Sequence, residues 1–156
     1  MKRFLIFIAL FITAFGFSQN AEQINWMSPQ QLSDSLVTQP KKTLIYFYAD
    51  WCAYCKKMEK HAFSNSKVIK KINNSFYAVK MNAETTDTIH FGSQQFINKE
   101  AFSKRRGTHE FALLLGSRKD RKFSLPVILL FDESFKLIRR EFNYLTTEKM
   151  LAFIAD

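Results

Sequence analysis

The chain has 156 residues, 47% of them apolar and 17 of them Phe, with a formal net charge of +9. That length and apolar content suffice for one packed core and exclude a disordered chain. Two cysteines are too few for a disulfide scaffold, and the positive balance favours encounters with acidic partners or anionic surfaces without naming one.

Met1-Lys2-Arg3 is a short basic start, Phe4 to Phe15 is an almost unbroken apolar run, and Gly16 and Ser18 stand three and one residues before a cut at Gln19. This order predicts a secretory signal peptide over 1–18 and a mature domain over 19–156. The apolar run is short for a membrane span of about 20 residues. The expected location is therefore periplasmic or secreted, with no stable membrane insertion after cleavage. Such a compartment lets disulfides persist. Without the two leader charges the balance is +7.

Ile24 to Met27 alternates apolar and polar and predicts a short edge strand. Ser28-Pro29-Gln30-Gln31 predicts a helix start, with Ser28 as N-cap, Pro29 at N1 and Gln31 at N3. That helix puts Leu32, Leu36 and Val37 on one face and ends before Pro40. Thr43 to Ala49 reads as the central strand. A helix then runs from Cys52 to about Ala62, and Ser64 or Asn65 caps a second one bearing Val68, Ile69 and Ile72. Ser75 to Asn82 is the next core strand. Alternating strand and helix argue for an α/β layer with parallel pairing.

Thr88 to Ile97 predicts a hairpin with a Gly92-Ser93 turn. Lys104-Arg105-Arg106-Gly107 is a basic loop. Thr108 caps a helix bearing Phe111, Leu114 and Leu115 that Gly116 ends. Arg118 to Lys122 is a second basic cluster. Val127 to Phe131 is a buried strand, Asp132-Glu133-Ser134 a turn, and Phe135 to Phe142 its antiparallel neighbour with Lys136 and Arg139 facing water. Thr146 or Thr147 caps a last helix with Met150, Leu151, Phe153 and Ile154. Neither linker nor repeat divides the chain. The phenylalanines follow no stacking pattern and accompany no nucleic-acid motif, so they read as core.

The chemistry concentrates in Trp51-Cys52-Ala53-Tyr54-Cys55, which holds both cysteines. A β-rich run precedes it and a helix follows. Two thiols on the first turn of a helix meet free N–H groups and the positive end of the dipole, which stabilise a thiolate. Two other readings compete. A zinc site wants four ligands, and His61, His90 and His109 stand at no ligand spacing from one another. A purely structural disulfide closes a very short loop and removes little unfolded-state entropy. Lys56, one residue past Cys55, favours a thiolate by its charge. His109 reads as a structural histidine rather than a proton carrier, and His61 as a surface residue. Lys104, Arg105, Arg106, Arg118, Lys119, Arg121 and Lys122 form either a solvated surface or a guide for acidic substrates.

The segments Tyr46–Glu59 (YFYADWCAYCKKME) and Ser124–Asp132 (SLPVILLFD) resemble the thioredoxin superfamily. The first is particularly similar to periplasmic thioredoxin-like domains that pass reducing equivalents across the inner membrane. The resemblance covers Thr43 to the C-terminus and, with the flanking segments, extends over the mature chain. It implies an α/β thioredoxin-like fold, a central mixed sheet flanked by helices, with a hairpin and helix inserted before a cis-proline. It implies Cys52 as the exposed attacking thiol and Cys55 as the buried resolving thiol. Trp51 would shield the site. Pro126 would be the cis-proline, and Leu125 would offer its backbone to a peptide. X-Pro is the peptide bond whose cis form is cheap, and proline leaves an open edge.

Two departures accompany the resemblance. The family's buried acid, six residues before the first cysteine, is here Tyr46, whose phenol near pKa 10 accepts no proton at neutral pH. Glu59, Asp50 or water is left to take that role. The stretch 83–124 is far longer than in a minimal thioredoxin and is expected beside the redox face. The implied activity is a thiol–disulfide oxidoreductase that reduces or isomerises disulfides of extracytoplasmic proteins. A membrane thiol donor would supply its electrons, and it needs no metal or organic cofactor. The alternative is a non-catalytic binding module that docks a partner through its basic insertion.

Overall fold

The computed structural model describes residues 22–155; the leader expected over 1–18 lies outside them. Reciprocal capping starts the first helix, α1 (Pro29–Thr38). Gln31 N–H donates to Ser28 Oγ at 3.1 Å, and Ser28 N–H donates to Gln31 Oε1 at 2.8 Å. Leu32 is fully buried, but Val37, expected on the same face, is 88% exposed. Five residues of helix rotate it about 140° away from Leu32.

Strands β1 (Trp26–Met27), β2 (Thr43–Tyr48), β3 (Tyr77–Asn82), β6 (Val127–Phe131) and β7 (Leu137–Glu141) form one sheet in the order β1-β3-β2-β6-β7. β1 and β2 run parallel to β3, whereas β6 pairs antiparallel with β2 and β7. This is the expected mixed sheet flanked by helices. β2 is buried on both faces, and its alternation divides the core. Leu44 and Tyr46 join a cluster with Cys52, Cys55 and Met58 of α2 (Ala53–His61) and Val68, Ile69 and Ile72 of α3 (Ser66–Ser75). Met150 and Ile154, on and just past α5 (Thr147–Phe153), complete it. Ile45 and Phe47 join Leu32 and Phe111 on the other face. Asn65 caps α3 and Thr146 caps α5. Phe76 still bonds back to Ile72, so β3 begins at Tyr77 rather than Ser75.

The inserted segment departs most from expectation. Its hairpin, β4 (Ile89–Phe91) and β5 (Gln94–Phe96), turns at Gly92 (φ 59°) as predicted. It packs against α1 instead of lying at the cysteines: Gly92 N–H donates to Ser33 Oγ at 2.8 Å. The cause is aromatic, because Phe91 meets Phe111 at 5.2 Å and Phe135 at 5.2 Å within the second cluster. An unforeseen 3-10 turn, Lys99–Phe102, follows Asn98. The next helix, α4 (Glu110–Gly116), is capped by His109 and not by Thr108. Phe111 and Ala112 are covered while Leu114, expected in the core, is 63% exposed.

Candidate active site

β2 delivers the chain to a turn in which Cys52 N–H donates to Ala49 O at 3.0 Å. Cys52 then caps α2: its Sγ accepts from Cys55 N–H at 3.2 Å. Cys52 and Cys55 form a disulfide, with Cα atoms 5.2 Å apart. Cys52 is 3% exposed and Cys55 1%. The expected contrast between an open and a covered cysteine is therefore small in the disulfide. The flanking Trp51 and Tyr54 are instead the open residues, at 50% and 63%.

The Leu125–Pro126 peptide is cis. Pro126 and Leu125 line a groove of about 380 Å³ together with Tyr54, Phe142, Asn143 and Tyr144. The redox helix and the proline thus share one opening, and Leu125 also packs on the cluster that holds both cysteines. Lys56 is exposed and borders a second cleft of about 280 Å³ with Tyr48, Asp50 and Glu59.

Tyr46, standing where the family carries an acid, is fully buried. Its O–H donates to Glu59 Oε1 at 3.2 Å, and the same oxygen pairs with Lys80 Nζ at 3.1 Å. Burial, then the Glu59 charge, raises the Tyr46 phenol far above its ordinary range. The phenol therefore remains a donor, and the carboxylate tied to it is Glu59. Asp50 accepts from Asn82 Nδ2 at 3.4 Å instead.

Two contacts of Trp51 were missed in the sequence. Its indole N–H donates to Glu84 Oε1 at 2.8 Å, and the Arg106 guanidinium lies 4.7 Å from its ring centroid. These partners are over thirty residues away and carry no local signal. They are the points at which the inserted segment reaches the redox motif. His109 is structural. Its Nδ1 accepts from Phe111 N–H at 3.1 Å, so Nε2 carries the proton and faces Asp87 O at 3.0 Å. His61 is exposed, and its carbonyl accepts from Thr147 Oγ1 at 3.3 Å.

The thioredoxin-like domain family matches residues 29–156. The chain belongs to that family. A thioredoxin-fold protein from Helicobacter pylori superposes with a TM-score of 0.58 at 19% identity, covering 88% of this chain and 78% of that one. The C-terminal domain of DsbD from Neisseria meningitidis, in its oxidised form, gives 0.50 at 18% identity, covering 79% and 86%. At such identities the likeness is one of fold. In sequence, the chain is 36% identical over 59 residues to the thiol:disulfide interchange protein DsbD of Photorhabdus laumondii. That match takes in 37% of this chain and spans only 10% of the DsbD length. Among the described residues no helix is long and apolar enough to cross a membrane.

Proposed function

We propose that this thioredoxin-like chain is a thiol–disulfide oxidoreductase that reduces or isomerises disulfides of extracytoplasmic proteins. One observation carries the reading: the Cys52–Cys55 disulfide stands at the N-terminus of α2, whose Tyr54 lines one groove with the cis-proline Pro126. In the reduced protein the Cys52 thiolate attacks one sulfur of a substrate disulfide and expels the other as a thiolate. The Cys55 thiolate then attacks Cys52 Sγ in the mixed disulfide and releases the second substrate thiolate. Two electrons pass to the substrate, and the protein is left as the Cys52–Cys55 disulfide. The hydrogen bond from Cys55 N–H to Cys52 Sγ supports thiolate formation at Cys52, since an N–H directed at sulfur favours the anion. Lys56 adds positive charge one residue past Cys55.

Glu59, which lines a cleft with Asp50 and Lys56 beside the redox helix, is the proposed acceptor of the Cys55 thiol proton. Its link to the buried Tyr46 hydroxyl supports this choice over Asp50. Trp51 shields the disulfide, and the Leu125 backbone receives the substrate strand. The interchange function named for DsbD supports thiol–disulfide exchange as the reaction; protein disulfides are the proposed substrates and a membrane thiol donor the proposed source of electrons. The basic start and apolar run of residues 1–18 support export.

Ala53-Tyr54 lacks a histidine before the second cysteine, which supports reduction over oxidation. The expected potential lies nearer about −270 mV than about −120 mV, and a value above about −150 mV would reverse the direction. Insulin reduction by the wild type but not by Cys52→Ser is the expected result. Cys55→Ser should accumulate mixed disulfides identifiable by mass. Equal insulin reduction by wild type and Cys52→Ser would favour the second reading, a docking module. Arg105 and Lys119, exposed in the insertion, would then be its contact residues.

A further inference from the structure

Among the described residues, the redox opening carries positive charge that no carboxylate pairs. Farther along the insertion, cations have carboxylate partners: Lys99 with Glu110 and Lys104 with Glu100, each at 2.6 Å. Around the disulfide, cations lie on aromatic rings instead. Arg106 is 4.7 Å from the Trp51 centroid, Arg118 4.2 Å from Phe142 and Lys57 4.9 Å from Tyr144. Among the described residues none of these three has a carboxylate partner.

An aromatic face holds a cation in position without cancelling its charge. The guanidinium edges stay free for a carboxylate, whose two oxygens match that fork. Arg118 uses Nη2 on Ser124 Oγ at 2.8 Å, two residues before Pro126, and keeps its other donors. Asp50, Glu84 and Glu141 lie on the same segments. They accept from Asn82, from the Trp51 indole and from the Phe142 and Asn143 N–H groups respectively. Phe142 and Tyr144 line the cis-proline groove, so the rings beneath two of the three cations belong to the walls that a substrate strand would touch.

We infer that the groove selects disulfides flanked by acidic side chains. Carboxylates beside the substrate sulfurs pair with Arg106, Arg118 and Lys57 while the strand lies along Leu125 and Pro126. This deepens the oxidoreductase reading and rests on it.

The test uses the full chain, reduced beforehand with dithiothreitol and freed of it. It meets three synthetic peptides that share one disulfide loop and differ only in Glu, Gln or Lys flanks. In single turnovers at low salt the Glu-flanked peptide should react about tenfold faster than the Lys-flanked one. The gap should close near 1 M NaCl, where screening reaches about 3 Å. The double variant R106Q/R118Q should narrow the Glu-to-Lys ratio. K67Q/K70Q, which removes the same charge from α3, should preserve it. Equal rates for all three peptides would overturn the selectivity while leaving the oxidoreductase standing, as would equal narrowing by both double variants. If no peptide is reduced, the oxidoreductase reading falls. Ser-for-Cys versions of the peptides, binding the oxidised chain and followed by tryptophan fluorescence, then decide the groove by themselves. Tighter binding of the Glu-flanked form would uphold its charge preference, and equal binding would overturn it.

Discussion

The redox turn and the inserted segment are both irregular backbone, yet they are held by different means. At the redox turn the cysteines find their hydrogen-bond partners among neighbours in sequence, while Asp50 and Trp51 reach farther, to Asn82, Glu84 and Arg106. Cys52 bonds to Ala49 and Cys55, and apolar contacts from α2 fix the rest. The insertion is tied by polar side chains that reach across the loop, the buried Asn98 and the half-buried Glu100 and Glu110. Asn98 donates to Thr85 O at 3.0 Å and Gly107 O at 2.8 Å, and accepts from Ala101 N–H at 3.1 Å. Glu100 Oε2 accepts from Thr108 N–H at 3.0 Å, and Glu110 Oε2 from Ile97 N–H at 3.1 Å. Gly107 passes so close to the Glu100–Ala101 backbone that a Cβ there would collide with it. A loop that leaves the sheet must satisfy its own N–H and C=O groups, and this one does so with Asn, Glu and His side chains.

The largest test of that contrast is Asn98→Ala. It removes three bonds from a buried site and should cost about 3 kcal/mol, measured by denaturant unfolding, because the orphaned carbonyls lose their donors. The potential of the Cys52–Cys55 pair should stay put. A loss below about 0.5 kcal/mol, the range of ordinary surface changes, would mean that the loop is not held by its polar anchors.

Next in size is Glu59→Gln, which acts on the redox side alone. It should prolong the mixed disulfide about a hundredfold, the low end of general-base effects, and flatten its pH dependence, while the amide oxygen can still accept from the Tyr46 hydroxyl. The same loss from Asp50→Asn, and none from Glu59→Gln, would transfer the proton role to Asp50.

The smallest effect is the pH response of His109. Burial lowers its pKa from 6.5, against the weaker opposing pull of the Asp87 carbonyl and then of the Glu110 and Asp87 carboxylates. The unfolded chain therefore binds the proton more readily than the folded one. The stability due to neutral His109 is complete above pH 6.5 and falls as pH drops toward the lower folded value. His109→Asn keeps a capping acceptor that does not titrate. The denaturant midpoint of the wild type should thus fall relative to that of His109→Asn only below pH 6.5. A constant difference across that range would show that the imidazole proton is not linked to folding.

Much of the site could be read directly from the chain. Ser28 and Gln31 announce their helix, Cys52 and Cys55 share one helical turn, and Gly92-Ser93 marks its hairpin. Where reading failed, the deciding partner was distant. Thr108 is a good cap by type, but the buried His109 beside Phe111 took the position. Leu114 and Val37 are apolar, yet each lies off the face its helix buries. The hairpin follows Phe91 and Phe96 into the aromatic cluster rather than following the chain toward Pro126.

What the amino-acid order determined alone is the set of elements, their caps and the place of the two sulfurs, since those depend on residues a few positions apart. Tertiary structure alone decided that Arg106 and Glu84 meet Trp51, that Glu59 meets Tyr46, and that cations stand over the rings of the groove. Those contacts join segments separated by up to some ninety residues for Lys57 and Tyr144, and only the packing of both faces of the sheet brings them within reach.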